Sequence, residues 1–210
     1  MLLKKDDKVP FPAHFVVGNR ITKTEQRHFV AAHAIVWLKL HHMKMKPGTK
    51  PGAIMIDIDD TLVDEWEGLR YGFEFMNAMY NQLSLLFPVH VVTARPDTEH
   101  ANVMKMLHNC GVNVQVDRLH MLPDEHYHHP DHDTRERLVE GFKAGKCVDI
   151  AKEHGSVVAR FGDRLWDVAP LELIRRQPRN GLAVLEHVET KHCYIFLHNG
   201  CLCAKLPGKA

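Results

Sequence analysis

Apolar and polar positions divide the chain into an opening helix, a series of alternating strands and helices, and a closing pair of strands. Thr22-Lys-Thr-Glu25 has the spacing of a capping box ahead of the apolar run Phe29 to Leu40, which predicts a helix over 23–43. Pro47-Gly48 and Pro51-Gly52 then punctuate the chain twice. Directly afterwards, Ala53-Ile-Met-Ile56 is a short unbroken apolar run, as expected of a strand covered on both faces. Residues 66–86 read as a helix, with Leu69, Phe73, Met76 and Tyr80 recurring at three to four positions, and Pro88 closes it. Val89-His-Val-Val92 supplies a second strand, 97–109 a helix closed by Gly111, and Val112 to Val116 a third strand. After a long polar connection, Lys146 to His154 reads as a helix stopped by Gly155, and Ser156 to Phe161 as a fourth strand. Strand, helix, strand repeated in this way predicts an α/β fold with a parallel sheet.

The end of the chain differs in kind. Asn199-Gly200 lies between two strand-like runs, Tyr194 to His198 and Cys201 to Cys203, which is a strong hairpin signal. The expected organisation is an N-terminal extension with one helix (1–50), an α/β core (51–180) and a C-terminal β-hairpin extension (181–210). The intervals between the strands leave no room for a large cap domain.

Composition narrows the function without naming it. The 210 residues are 45% hydrophobic and 25% charged, as in an ordinary globular domain, and a net charge of +1 gives no global field for nucleic acid or an anionic membrane. No apolar run approaches a transmembrane length and the first residues lack the pattern of an export signal, so a cytoplasmic location without membrane contact is expected. Five dispersed cysteines fit reduced thiols. Seventeen histidines are unusual, but the cluster His126, His128, His129 and His132 is interrupted by Pro130 and reads as a solvated loop. Cys193, Cys201 and Cys203 lack zinc-finger spacing and read as small apolar residues of the hairpin.

The chemistry gathers where the strands end. Ligands of open parallel sheets bind outside the carboxyl ends of the strands, and there the first strand is followed by Asp57-Ile-Asp59-Asp60-Thr61. One such acid is as readily a helix cap as a functional group. Three acids in four residues repel one another unless a cation holds them, and a hard divalent ion suits their oxygen ligands. The second strand ends in Thr93-Ala-Arg95 and the fourth in Gly162-Asp163 followed by Asp167.

In this order the motifs resemble those of the haloacid dehalogenase-like superfamily, over roughly residues 52–170, and most closely its acid phosphatase branch. The resemblance implies a Rossmann-like three-layer core and a Mg²⁺-dependent phosphomonoesterase acting through an aspartyl-phosphate. It makes Asp57 the nucleophile, Asp59 the acid and base, Thr93 a donor to the phosphoryl group, and a lysine its counter-charge. Lys146 is the favoured lysine because it opens the helix before the fourth strand, with Lys143 next. Mg²⁺ would be held by Asp57, the Asp59 carbonyl, Asp163 and Asp167. Arg95 either contacts the substrate or pairs with Asp97 or Glu99. The implied substrates are a phosphorylated small molecule or nucleotide, with a nucleic-acid end as a further candidate. Phosphoryl transfer to an alcohol would use the same residues, and a catalytically silent binding module would keep the fold alone.

Overall fold

The computed structural model describes residues 15–16, 22–66, 69–168, 194–198 and 200–208. Its centre is β2 (Ala53–Ile56), whose four residues are all buried because helices cover both faces. Ile54 and Ile56 face one apolar cluster with residues of α1 (Lys23–Met43), α2 (Glu74–Leu83) and α3 (His100–Asn109). Ala53 and Met55 point the other way, onto Phe142, Cys147 and Ile150 of α5 (His132–His154). Helix, sheet and helix therefore form three layers of an α/β fold.

Parallel partners flank β2: β5 (Val89–Pro96) on one side and β7 (Val157–Gly162) on the other. β6 (Leu119–Leu122) extends the sheet beyond β5, and β9 (Cys201–Lys205) extends it beyond β7, both in parallel. β8 (Tyr194–His198) pairs antiparallel with β9, and β1 (Phe15–Val16) antiparallel with β8. The order is β1-β8-β9-β7-β2-β5-β6. The closing hairpin, expected as an appendage, thus contributes two strands to the main sheet. Asn199 lies outside the described residues, as does Cys193, while Gly200 takes the left-handed φ of +78° that its turn requires.

The opening helix runs as expected, with Thr22 accepting from the Glu25 amide and the Glu25 carboxylate accepting from the Thr22 amide. Three other expectations are corrected. The expected helix over 66–86 is instead a hairpin, β3 (Val63–Trp66) against β4 (Leu69–Gly72), followed by the shorter α2. Apolar residues three to four apart cannot reveal that cross-strand pairing takes the first of them. The third strand is β6, not 112–116, because the parallel register sets Val91 of β5 opposite Leu119. Val112 and Val114 still bury their side chains, which explains the strand-like pattern. Finally, the polar connection before Lys146 is largely helical, a short α4 (Asp124–Tyr127) and then α5. α5 begins at His132, where Asp131 caps it by accepting from the Thr134 amide at 2.8 Å, and ends at Gly155 with φ +84°. Of its 23 residues only Lys143 and Ile150 are fully buried, so its apolar stripe is nearly silent in the sequence.

On the α5 face lies a chain of three imidazoles. His90 of β5, only 3% exposed, meets His120 of β6 through Nδ1 and His154 of α5 through Nε2, each at 2.9 Å. No helix among the described residues is long and apolar enough to cross a membrane.

Candidate active site

β2 and β7 deliver the acids. The Asp57 amide donates to the Phe161 carbonyl at 2.9 Å, so the first residue beyond β2 stays zipped to β7. The chain then turns sharply: the Ile58 carbonyl accepts from Thr61, Leu62 and Val63, and Asp60 takes a left-handed φ of +54°. Ile58 is buried in the core, which throws Asp57 and Asp59 to the opposite side of the loop. The cap reading of these acids fails for Asp57, which is buried and bonded to a lysine.

That lysine is Lys143. Its ammonium donates to Asp57 Oδ1 at 2.9 Å and to Asp167 Oδ1, and all three side chains are almost fully buried. The expected Lys146 is placed elsewhere, beside the Phe142 ring 5.9 Å away on the same helix. The expectation assumed that a helix opens at Lys146. Because α5 opens at His132, Lys146 falls a turn further from the carboxyl edge of the sheet.

Asp163 follows β7 directly and is buried, and α6 (Leu165–Val168) carries Asp167 back over the strand end. The return is tight enough that a Cβ on Gly162 would lie 2.2 Å from the Asp167 Cβ, so only glycine fits at position 162. The second Asp167 oxygen accepts from the Arg164 amide at 3.0 Å, and the Asp167 carbonyl accepts from the buried Arg160 guanidinium at 2.9 Å. Oxygens of Asp57, Asp163 and Asp167 all come within 4.8 Å of one another.

Three buried carboxylates against one buried ammonium, with the more exposed Arg164 guanidinium 3.6 Å from Asp163 Oδ2, set the electrostatics. Burial pushes Asp57 well above the ordinary carboxylate range, with Lys143 opposing the shift and Asp167 adding to it. Burial and then the neighbouring Asp167 raise Asp163 to about 7. Burial alone would depress Lys143, but Asp167 and Asp57 outweigh it and hold the ammonium above its usual value. The cluster is short of positive charge. An all-oxygen donor set of this kind fits a hard divalent cation better than a transition metal.

The remaining expected residues line the same edge. Asp59 is not in the buried triad; its side chain is 48% exposed and is gripped by Arg95, whose Nε and Nη2 reach the two carboxylate oxygens at 3.1 and 2.5 Å. Arg95 thus takes neither Asp97 nor Glu99 as the partner in this pair. Thr93, within β5 and just after its apolar run, is buried and its hydroxyl accepts from the Arg95 amide at 3.2 Å. The Thr61 hydroxyl, in the turn that follows Asp59, is buried with no hydrogen-bond partner among the described residues.

Sequence reading missed Arg27 and Gly208. Arg27 of α1 donates to the Asp60 carbonyl, and a Cβ on Gly208 would lie 2.7 Å from Asp163 Oδ2. The available signal was a charged residue three positions before Val30, on the buried stripe of an amphipathic helix.

No family model matches the chain, and no curated protein matches it. Among solved structures it is similar to the class C acid phosphatase from Bacillus anthracis, at 12% identity and a TM-score of 0.43, over 78% of this chain and 81% of that one. The same enzyme with tungstate bound gives 12% identity and a TM-score of 0.48, over 79% of this chain and 71% of that one.

Proposed function

We propose that the protein is a Mg²⁺-dependent phosphomonoesterase that works through an aspartyl-phosphate on Asp57. The observation that carries the reading is the buried Lys143 ammonium between Asp57 and Asp167, with Asp163 beside them at the carboxyl ends of two adjacent parallel strands. The order of the acid, threonine, lysine and acid motifs, which resembles the haloacid dehalogenase-like phosphatases, supports the same reading.

Asp57, Asp163 and Asp167 would hold the cation, and the Asp59 carbonyl is a further ligand by resemblance. When bound, Mg²⁺ supplies the positive charge that keeps Asp57 ionised and draws charge from the phosphoryl oxygens. Asp57 then attacks phosphorus, the ester P–O bond breaks, and Asp59 gives its proton to the departing alcohol oxygen. In the second step Asp59 takes a proton from water, the water oxygen attacks phosphorus, and the Asp57–phosphorus bond breaks to release inorganic phosphate. Lys143 and the hydroxyl of Thr93 offset the charge on the phosphoryl oxygens. Arg95 orients Asp59 in the free protein. An incoming phosphate competes for that guanidinium, which frees Asp59 to carry a proton. The substrate class is a phosphorylated small molecule or nucleotide, and the place of action is the cytoplasm.

The test is phosphate release from p-nitrophenyl phosphate and a panel of nucleotides by wild type and Asp57→Asn, with Mg²⁺ and with EDTA. Turnover that needs Mg²⁺ and disappears in Asp57→Asn is expected. Turnover that survives in Asp57→Asn would exclude the covalent route, and no release from any ester would sink the reading.

A further inference from the structure

The acidic site is bordered by two segments that lie far from it in sequence. After β9 the chain continues along the end of β7, with the Leu206 amide donating to the Gly162 carbonyl at 2.7 Å. The next residues form a short strap over Asp163. At Gly208 the backbone passes so close that an added Cβ would stand 2.7 Å from Asp163 Oδ2.

α1 holds this strap with two basic side chains one turn apart. Lys23 Nζ donates to the Gly208 carbonyl at 2.6 Å, and Arg27 Nη2 donates to the Pro207 carbonyl at 2.7 Å. The same Arg27 nitrogen and Nε also donate to the Asp60 carbonyl, at 2.8 and 3.2 Å. Arg27 is 4% exposed, and its guanidinium lies 3.9 Å over the Phe73 ring, where α2 begins. A guanidinium is planar and fixed in its donor directions, so it can set the spacing of two carbonyls in a way a flexible ammonium cannot.

The peptide it grips is a costly one. Asp60 is the one described residue other than glycine with a positive φ, and such a conformation persists only where its surroundings enforce it. Its amide is held by the Val63 carbonyl at 2.9 Å and its own carbonyl by Arg27. This turn immediately follows Asp59 and decides where that residue's carbonyl and carboxylate point.

We propose that α1 and the strap are functional parts of the acidic site, Arg27 being a positioning residue that fixes the Asp60 turn while the Pro207–Gly208 backbone fixes the carboxylate of Asp163. The inference rests on the phosphatase reading for its catalytic half, but its metal-binding half stands on the geometry of Asp163 and the turn. Neither segment belongs to the stretch of chain that carries the acid motifs, so the site is completed by residues brought in from both sides of it in sequence.

The experiment uses the full chain as wild type, Arg27→Gln, Arg27→Lys and Gly208→Ala. Two quantities are read: the Mg²⁺ concentration giving half of the metal-induced rise in unfolding temperature, and kcat and KM for p-nitrophenyl phosphate. Arg27→Gln and Gly208→Ala are expected to raise the Mg²⁺ half-point about tenfold or more, the usual effect of removing a group that orients a ligand. Arg27→Gln should also lower kcat by a similar factor with KM within about threefold, and Arg27→Lys should recover part of both losses. Gly208 lies outside the apolar core, so Gly208→Ala remains informative if Arg27→Gln does not fold. A folded Gly208→Ala with the wild-type Mg²⁺ half-point would overturn the role of the strap, and a folded Arg27→Gln with wild-type half-point and kcat would overturn that of Arg27. If wild type responds to Mg²⁺ but hydrolyses no ester, the phosphatase reading falls, and the half-points still decide the positioning.

Discussion

At the scale of single residues, the site turns on Lys143. Its ammonium is buried between two buried carboxylates, and deleting one partner of such a cluster leaves the others without compensation. Lys143→Met is expected to lower kcat on p-nitrophenyl phosphate about 100-fold or more, the order seen when one preorganised donor to developing charge is lost. Lys146→Met should stay within about twofold of wild type, and steady-state kinetics on the two variants side by side is the check. The contrast also shows how far the sequence could be read. Asp57, Thr93 and Asp163 directly follow apolar runs that mark strands, and Asp167 stands four residues after Asp163, so their convergence on one edge could be foreseen. Choosing between two lysines three positions apart needs the start and phase of the helix that carries them. α5 hides both, because most of its residues face solvent.

At the scale of elements, strongly patterned pieces are as expected and tertiary pairing decides the others. The capping box starts α1 where its spacing says, whereas β4 takes residues whose spacing suits a helix equally well. β5 and α5 are joined on the face away from α1 by His90, which burial, with His120 and His154 beside it, depresses to about 4. The ordinary value is about 6.5, so between these pH values the unfolded chain binds the proton that the folded protein refuses. Stability is therefore expected to fall as pH drops from about 6.5 towards 4, and His90→Gln, which cannot titrate, should flatten that slope. Thermal unfolding midpoints of both proteins across this range provide the measurement. A slope unchanged in His90→Gln would assign the acid sensitivity to other groups, Asp57 and Asp163 not among them, since their raised values act in the opposite direction.

At the scale of the whole molecule, the sheet does not follow the order of the chain. β9 lies between β8 and β7, so the residues expected to form an appendage cover an edge of the parallel core. Leu202 of β9 is buried in the same apolar cluster as Ile54, Leu38 and Val103. Leu202→Ala is accordingly expected to cost about 2–5 kcal/mol, the range for a core leucine, in one cooperative transition. Urea unfolding followed by both fluorescence and far-ultraviolet circular dichroism tests this. A loss under about 1 kcal/mol, or two separate transitions, would show that the hairpin is an independent unit. The hairpin itself was legible from its turn residues, but its place in the sheet was not, because a run such as Cys201 to Lys205 carries no mark of which strand it will join.

The line of imidazoles through His90 has a consequence of its own for the rings on either side. Each nitrogen-to-nitrogen contact has room for one hydrogen, and a neutral His90 brings one. If it donates towards His120, that ring must carry its own hydrogen on Nδ1, and His154 must carry one on Nε2 in order to donate back. Reversing the His90 tautomer reverses both. While all three rings are neutral, His120 and His154, on different elements, are thereby held to opposite tautomers, and the Glu153 carboxylate 3.3 Å from His154 Nε2 favours the arrangement in which that nitrogen carries the hydrogen.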